Sequence, residues 1–343
     1  MRANAWLLEK HGRPSDVLRW RSQELPAPGP GEALVKIRSV GLNRADLNYV
    51  LGSHFPARAF PSGLGGEAVG EVLELGSPAA GGNPPAVRRL NRSVGTRVAT
   101  LSGRVDRGRS GIYRDIALLD QAALLPVPDS YTDTEAAAFW TALFTMGGAL
   151  EMAGYHAGNA GGKTLLFTAA GGGVGVLGLR LARHWGARTI ATTRDEKKAD
   201  DLAAIADDVI VCADGEQLAA GVRAATDGRG VDLALDPVGA SFYPGLFEAT
   251  ARGGQIVSYE CISGTRADLP IMTLMMKDLC IRGFTTFRVS TNPALLDTLV
   301  DLGMDHADAL RPVVARTCPL AEAPGALESL ERSQHVGKIV LNV

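Results

Sequence analysis

The pattern of apolar and polar positions divides the chain into two stretches. Residues 1–126 contain short apolar or alternating runs, for example 34–37 and 70–75, separated by turns rich in glycine and proline. Runs of this length between turn-forming residues predict strands. We therefore expect the first third of the chain to be mainly β.

A helical pattern begins at Thr132. Thr132 and Glu135 have the spacing of a capping box, in which each side chain accepts a hydrogen bond from the other residue's backbone N–H. Residues 136–152 are apolar enough to form a largely buried helix. This change of pattern predicts a domain boundary just before the helix, between residues 126 and 127.

Strands and helices alternate from Lys163 onward. The expected strands are 164–168, 188–193, 208–211, 231–236, 255–259 and 280–285. Alternation of this kind gives right-handed βαβ crossovers and a parallel sheet with helices on both faces. Residues 127–287 are therefore predicted to form a doubly wound domain. A helix near 321–332 and a strand at 338–341 would return the tail, residues 288–343, to the first domain.

A glycine-rich loop follows the first strand of this series. It runs from Ala169 to Gly175 and leads into a stretch with helical spacing of its apolar residues. Glycines at such a turn let backbone N–H groups approach a pyrophosphate at a helix N-terminus. A flexible loop or a close strand–helix contact is the alternative, but the βαβ series around the loop favours a dinucleotide site. The candidate cofactor-binding residues here are Ala170, Gly172, Gly173, Val174 and Gly175.

The end of the second strand of the series bears on the choice of dinucleotide. An acidic side chain there would accept from a ribose hydroxyl, whereas a 2′-phosphate needs cations. Thr193 and Arg194 stand at this position and Lys198 follows, so the sequence favours NADPH over NADH. The alternative is that these cations are ordinary solvated charges at the start of a helix, with Asp195 as a first-turn acid. Both interpretations remain open at this point.

Composition narrows the function classes. Of the 343 residues, 35 are Lys or Arg and 37 are Asp or Glu, and the net charge of −2 gives no general attraction to nucleic acid or to an anionic membrane. The four cysteines lie far apart, which argues against a disulfide framework or a zinc lobe. No apolar run approaches the roughly 20 residues of a membrane span, and no signal-peptide stretch is seen near the N-terminus. We expect a cytoplasmic protein with a small-molecule substrate, and neither a nucleic-acid-binding protein nor a membrane protein.

Six motifs follow one another along nearly the whole chain, at residues 28–35, 40–46, 60–70, 169–175, 236–239 and 337–340. In this order they resemble the medium-chain dehydrogenase/reductase superfamily, in particular its zinc-free quinone oxidoreductase branch. The resemblance implies an α/β fold with a GroES-like, mainly β catalytic domain and a Rossmann domain built on a doubly wound parallel sheet. It also implies NAD(P) as the cofactor, with Thr145, Asp236 and Val238 among the residues that hold it.

The resemblance also bears on a catalytic metal. Zinc-dependent relatives have Cys, His-Glu and Cys where this chain has Asn43, then Gly66 and Glu67, and a residue near Thr141. One remaining acid cannot hold tetrahedral zinc, so we expect no metal. Hydride transfer to the β-carbon of a conjugated acceptor does not need a metal ion, because hydrogen-bond donors can stabilise the charge that develops on the acceptor's oxygen.

Three residues near the start of the chain are the candidate catalytic residues. Asn43 and Tyr49 are the expected donors, and Asp46 is expected to orient their loop. A turn-forming Asn and a core aromatic are the alternative interpretations of Asn43 and Tyr49.

The leading functional prediction is an NADPH-dependent, zinc-free oxidoreductase that acts on a quinone or an enone. The alternatives are a stand-alone enoyl reductase acting on a coenzyme A or carrier-protein thioester, and an NADPH-binding sensor without turnover. The resemblance further implies a homodimer joined through the last strand of the Rossmann sheet, near residues 281–284.

An arginine-rich insert adds a possible partner. It contains Arg88, Arg89, Arg92, Arg97, Arg104, Arg107, Arg109 and Arg114. The insert is either a solvated surface or a docking site for an anionic carrier, coenzyme A or an acyl carrier protein.

Overall fold

The computed structural model describes residues 1–53, 56–78, 90 and 93–343. These residues form fifteen strands and twelve α-helices. The strands are β1 (Arg2–Leu8), β2 (Leu18–Glu24), β3 (Glu32–Gly41), β4 (Ala68–Leu75), β5 (Arg97–Thr100), β6 (Ile116–Asp120), β7 (Leu124–Leu125), β8 (Thr164–Phe167), β9 (Arg188–Thr193), β10 (Asp208–Val211), β11 (Val231–Asp236), β12 (Thr250–Ser258), β13 (Cys280–Gly283), β14 (Val314–Pro319) and β15 (Lys338–Asn342). The helices are α1 (Pro14–Val17), α2 (Arg44–Leu51), α3 (Asp133–Ala136), α4 (Trp140–Met152), α5 (Gly173–His184), α6 (Ala199–Ala203), α7 (Gly215–Ala225), α8 (Tyr243–Ala249), α9 (Ile271–Lys277), α10 (Phe287–Ser290), α11 (Pro293–Asp305) and α12 (Ala323–Arg332).

The chain divides into two compact units. The first unit contains Met1–Thr141, Val289–Gln334 and Lys338–Val343, and the second contains Ala142–Arg288 and His335–Gly337.

The first changeover between the units lies inside α4, later than the predicted boundary between residues 126 and 127. The reason is that α3, which precedes α4, packs against β3 and β4 of the first unit. The tail returns to the first unit through α12, β14 and β15, as expected. The predicted domains, one of residues 1–126 and 288–343 and the other of residues 127–287, remain a prediction of which segments fold independently.

The first unit is mainly β, as predicted. Its seven-stranded sheet has the order β14-β15-β3-β4-β5-β7 with β6 also paired to β3, while β1 and β2 form a separate two-stranded sheet. Apolar side chains of these strands and of α12, among them Val35, Val72, Leu327 and Leu341, form its core. Because β15 runs antiparallel to β3, the start of the last strand lies beside the segment that follows β3.

The second unit is the predicted doubly wound domain. Six parallel strands have the order β10-β9-β8-β11-β12-β13, and the order of the strands along the chain reverses between β8 and β11. In open α/β sheets, ligands bind beyond the carboxyl ends of the strands at such a switch point. The glycine-rich loop follows β8, so it lies at this point.

The predicted single helix over 136–152 is interrupted. The capping box of Thr132 and Glu135 is present, with Glu135 N donating to Thr132 Oγ1 at 3.2 Å and Thr132 N donating to Glu135 Oε2 at 2.8 Å. The helix it starts, α3, ends at Ala136, and α4 begins at Trp140. The interruption creates a second helix N-terminus, where Thr141 N donates to Glu67 Oε1 at 2.8 Å.

An ion pair joins the two ends of the first unit. Arg13 Nε and Nη2 donate to the two carboxylate oxygens of Glu328 on α12, at 3.1 and 3.0 Å, and Ser15 N donates to Glu328 Oε1 at 3.0 Å. The hydrogen bonds from Arg13 are the largest of the effects that lower the pKa of Glu328 to about 2.

We expect the substitution Glu328→Gln to destabilise the protein in a pH-dependent way. The pKa of Glu328 is lower in the folded than in the unfolded chain, so ionised Glu328 stabilises the fold above the usual carboxyl pKa, and this stabilisation is lost as the pH falls toward 2. At pH 7 the loss should be about 1 kcal/mol, because the Arg13 side chain is largely exposed. Urea unfolding at pH 7 and 3.5 measures it. Glu331→Gln, an exposed change on the same helix, is the control, and an equal deficit of Glu328→Gln at both pH values would contradict the prediction.

Candidate active site

The glycine-rich loop of the second unit forms a tight turn with open space before α5. Ala170 N donates to the carbonyl oxygen of Thr192 at 2.9 Å, which ties the loop to the end of β9. A Cβ on Gly175 would lie 2.6 Å from Ala170 O, so only glycine fits there, whereas a Cβ on the exposed Gly172 would meet nothing within 4 Å. The first backbone N–H groups of α5, from Gly173 onward, have no acceptor within the helix. The loop therefore leaves room and donors for a phosphate at this helix N-terminus.

Asp236 at the end of β11 shapes the neighbouring turn. Thr168 Oγ1 donates to Asp236 Oδ1, and the backbone N–H groups of Val238 and Gly239 donate to the same carboxyl group at 3.3 and 2.8 Å. Burial raises the pKa of Asp236, against the effect of these hydrogen bonds. The structure thus places Asp236 and Val238 at the switch point, where Asp236 holds the turn. Their contact with a cofactor stays a prediction.

Two cations lie beyond the end of β9. Thr193 is buried and accepts a hydrogen bond from Asp195 N at 3.1 Å, whereas Arg194 is exposed. Lys198 is buried, and its Cδ lies 3.5 Å from the position that a Cβ on Gly171 would take. Burial lowers the pKa of Lys198, partly offset by Asp195. The predicted residues therefore come together beside the glycine loop, with Lys198 packed against it.

Thr145 lies on α4 and is buried. The residue after it, Met146, packs against α5, since a Cβ on Gly178 would lie 2.7 Å from the sulfur of Met146. Thr145 is thereby held on a helix that packs closely against α5. Its contact with the nicotinamide stays a prediction.

Asn43 belongs to a buried polar cluster in the first unit. Lys338 Nζ lies 2.6 Å from Asn43 Oδ1 and 2.7 Å from Glu67 Oε2, and Asn43 Nδ2 donates to the same oxygen of Glu67 at 2.9 Å. The side chains of Lys338 and Glu67 are only 4% and 1% exposed. Asn43 itself is half-buried. We refer to Asn43, Glu67 and Lys338 as the polar triad.

Asp46 lies next to the polar triad on α2. It is fully buried and accepts hydrogen bonds from Asn43 N at 3.1 Å and from the hydroxyl of Tyr113 at 3.3 Å. Burial raises the pKa of Asp46, and the charge of Arg107 is the largest effect in the opposite direction. The bond to Asn43 N agrees with the expected role of Asp46 in orienting the loop.

Tyr49 lies three residues after Asp46 on α2, and its side chain is buried. Its hydroxyl oxygen lies 2.6 Å from Ser62 Oγ, and Ser62 Oγ donates to the carbonyl oxygen of Gly63 at 2.9 Å. Either hydroxyl can be the donor in this pair. The guanidinium of Arg107 lies 5.7 Å from the centre of the Tyr49 ring. The hydroxyl of Tyr49 is thus hydrogen-bonded within the unit, and its proposed donation to a substrate stays a prediction.

Lys338 and Tyr113 were not among the residues singled out from the sequence, and Glu67 was noted only as a remaining zinc-ligand position. The signal for Lys338 was its position at the start of β15, directly before the apolar residues 339–341. A buried lysine needs a partner, but nothing in the sequence names that partner.

The residues at the zinc-ligand positions do come together, but their chemistry does not fit the metal. Asn43 and Thr141 both donate to Glu67. Glu67 is the one carboxylate among them, and Lys338 already balances its charge. In the part of the chain that the structure describes, no group of three or more His, Cys, Asp or Glu side chains could hold a metal ion.

Most described arginines of the insert are engaged inside the first unit. Arg97 pairs with Asp133, Arg109 pairs with Glu32, and Arg104 donates to Ser290 O. Arg114 is buried, and burial lowers its pKa to about 10. Arg88, Arg89 and Arg92 lie outside the described residues, so a docking role for the insert depends on them.

Comparison with known proteins places the chain in a family. The model of the alcohol dehydrogenase GroES-like domain matches residues 29–129, and that of the zinc-binding dehydrogenase matches residues 173–301. A quinone oxidoreductase from Pseudomonas aeruginosa is 30% identical over 333 residues, which is 95% of each chain. The chain belongs to the quinone oxidoreductase-like branch of the medium-chain dehydrogenase/reductase superfamily. The predicted fold class is thereby confirmed, as is the prediction of an NAD(P)H-dependent oxidoreductase of this superfamily.

Other members of the superfamily are similar over the same length. An acryloyl-coenzyme A reductase from Metallosphaera sedula is 27% identical over 333 residues, 94% of this chain and 95% of that protein. The quinone oxidoreductase of Thermus thermophilus, solved alone and with NADPH, is 27% identical with a TM-score of 0.78, covering 99% of this chain and 100% of that one.

Among the described residues, no helix is long and apolar enough to cross a membrane.

Proposed function

We propose that this chain transfers hydride from NADPH to a quinone or to an activated C=C bond, without zinc. The observation that carries the proposal is the glycine-rich loop with Arg194 and Lys198 beside it, at the switch point of the parallel sheet. The similarity to quinone oxidoreductases along the whole chain supports the same reaction class.

The donors of the second unit fit NADPH. The N-terminus of α5 and the space at Gly172 suit the pyrophosphate, and Arg194 and Lys198 suit the 2′-phosphate because both are cationic donors. Thr193 takes the place of the acidic residue that would favour NADH. NADPH, when bound, supplies the hydride. The chain's own part is to bind the pyrophosphate and the 2′-phosphate, and to hold the glycine loop against β9 through the hydrogen bond from Ala170 N.

The first unit supplies the hydrogen bonding that the acceptor needs. When a quinone or enone accepts hydride, negative charge develops on its oxygen, and a donor aimed at that oxygen lowers the barrier. Asn43 is half-buried, and its Nδ2 donates to Glu67 and makes a longer contact of 3.3 Å with Gly41 O, which an acceptor oxygen would replace. Asp46 holds the backbone of Asn43 in place. Zinc is not needed for this, and Lys338 already supplies the positive charge that balances Glu67.

A second candidate function is an enoyl reductase that acts on a coenzyme A thioester. The similarity to an acryloyl-coenzyme A reductase favours it. In this case Arg88, Arg89 and Arg92 would bind the phosphates of the carrier. Arg97, Arg104 and Arg109 of the same insert are engaged within the first unit. An NADPH-binding sensor would have the same nucleotide loop and no turnover.

Turnover measured at 340 nm separates these functions. With NADPH we expect oxidation by 9,10-phenanthrenequinone, unchanged by a metal chelator because no step uses zinc. Faster reduction of crotonyl-coenzyme A would favour the enoyl reductase, and charge reversal at Arg88, Arg89 and Arg92 should then raise KM for the thioester alone. Arg332→Glu, an exposed change on α12, is the control. Tight NADPH binding with no turnover on either acceptor would contradict the proposed reaction and favour the sensor.

We expect Arg194→Gln to reduce the preference for NADPH. Loss of a charge-assisted hydrogen bond to the 2′-phosphate should raise KM for NADPH about 10- to 100-fold and leave KM for NADH nearly unchanged. Steady-state kinetics with both cofactors checks this. Arg223→Gln, an exposed arginine on α7, should change neither value. An equal effect of Arg194→Gln on both cofactors would show that Arg194 does not contact the 2′-phosphate.

The second unit also supports the predicted homodimer. The strand β13 is one edge of its sheet, and α9, which leads into β13, exposes Ile271, Met272, Met275 and Met276 by 54 to 70%. A strand edge beside an exposed apolar helix is a surface that native proteins cover. A second copy of the chain can cover both, because the same edge on each copy pairs with the other.

The cytoplasmic location likewise stays a prediction.

Substitution on α9 tests the dimer. We expect Met272→Glu combined with Met275→Glu to change the mass in solution from a dimer to the 36.0 kDa monomer, because two carboxylates would be buried in the interface. Light scattering after gel filtration measures the mass. The matched control is Val211→Glu, since Val211 is exposed on β10, the opposite edge of the same sheet. A monomeric wild-type protein, or a dimer that survives the double substitution, would contradict this surface.

A further inference from the structure

The polar triad determines which way the side chain of Asn43 points. A lysine ammonium can only donate hydrogen bonds and a glutamate carboxylate can only accept them. The atom of Asn43 that lies 2.6 Å from Lys338 Nζ must therefore be its oxygen, and the atom that lies 2.9 Å from Glu67 Oε2 must be its nitrogen. The orientation of this amide follows from the charges of its two neighbours.

This orientation leaves one hydrogen of Asn43 only weakly engaged. Nδ2 carries two hydrogens, and the first is donated to Glu67. The second is directed at the carbonyl oxygen of Gly41, at 3.3 Å, which is longer than an ordinary N–H···O hydrogen bond. If the amide turned over, the half-buried Asn43 would present an acceptor where it now has a donor.

The frame that holds the triad is tied by backbone hydrogen bonds and is almost closed to water. Lys338 starts β15, whose Ile339 accepts a hydrogen bond from Leu42 N at 3.0 Å. Glu67 is held at its other oxygen by Thr141 N. Since Lys338 and Glu67 are 4% and 1% exposed, their effect reaches a ligand through the more exposed Asn43.

We propose that Lys338 and Glu67 are positioning residues that set the amide of Asn43 so that Nδ2 donates to the oxygen of the hydride acceptor. This proposal rests on the proposed function, because it names the residues that prepare the donor for that reaction. Lys338 also withdraws electron density from the amide through Oδ1, which makes the N–H a stronger donor.

The first test is a comparison of variants with and without Asn43. Glu67→Gln combined with Lys338→Met removes both charges together, so that neither is left buried without a partner. We expect kcat with phenanthrenequinone to fall about 100-fold, as for loss of one oxyanion donor, with NADPH affinity unchanged. Asn43→Ala should cause a similar fall, and adding it to the double variant should cause no further loss. Independent, multiplicative losses would overturn the proposal, as would a fall in NADPH affinity that accounts for the whole effect.

The second test does not depend on turnover. The side-chain amide signals of Asn43, identified in ¹⁵N–¹H spectra by their loss in Asn43→Ala, report its hydrogen bonds. We expect these signals to shift in the Glu67→Gln/Lys338→Met protein. In Lys338→Arg, which keeps the positive charge and the hydrogen-bond donors, they should stay near their wild-type positions. Lys338→Arg also provides a test if the double variant fails to fold. Unchanged signals in the double variant, or signals lost from their wild-type positions in Lys338→Arg, would overturn the proposal. An absence of turnover in the wild type, with the expected spectra, would instead count against the proposed function alone.

Discussion

The first unit is organised around two charges that are removed from water. Lys338 Nζ and Glu67 Oε2 lie 2.7 Å apart, and each side chain is almost fully buried. Leaving either charge without its partner would cost about 3–5 kcal/mol, so β15 has to lie where Lys338 reaches Glu67. The close packing extends to Gly41, where a Cβ would lie 1.9 Å from the carbonyl oxygen of Ala137. This ion pair is compatible with the other features of the unit. The sheet order brings β15 beside β3, and both Asn43 and the N-terminus of α4 donate hydrogen bonds to Glu67.

The second unit meets a different requirement, which is to gather donors for an anion. A parallel sheet brings the carboxyl ends of β8, β9 and β11 to one edge. The glycine loop, the cations after β9 and the turn held by Asp236 therefore become neighbours although they are far apart in sequence. Hydrogen bonds such as that from Ala170 N to Thr192 O hold the loop in a shape that suits phosphate before any ligand arrives.

Overall similarity does not choose the substrate. The quinone oxidoreductase and the acryloyl-coenzyme A reductase are 30% and 27% identical to this chain over the same number of residues. A quinone and an acryloyl thioester both contain a C=C bond conjugated with a carbonyl group, so one scaffold can serve both. What separates them is the part of the acceptor remote from the reacting carbon. The residues proposed to contact a coenzyme A carrier, Arg88, Arg89 and Arg92, lie in the arginine-rich insert.

Much of the secondary structure could be predicted from residues that lie close together in the chain. The capping box of Thr132 and Glu135, the strand–loop–helix unit around Gly172 and the bounds of β9 and β11 were all predicted, because periodicity and turn chemistry act over a few residues. The family resemblance assigned Asn43, Glu67 and a residue near Thr141 to the ligand positions of one site. The break at residues 137–139 was not foreseen, and Glu67, which accepts a hydrogen bond from the new helix N-terminus, lies 74 residues away in the chain. The same holds for Lys338, which lies 295 residues from Asn43. The sequence by itself determined the two folds and the nucleotide loop, but only the tertiary structure decided which way Asn43 points, because that depends on charges contributed by strands that meet only after folding.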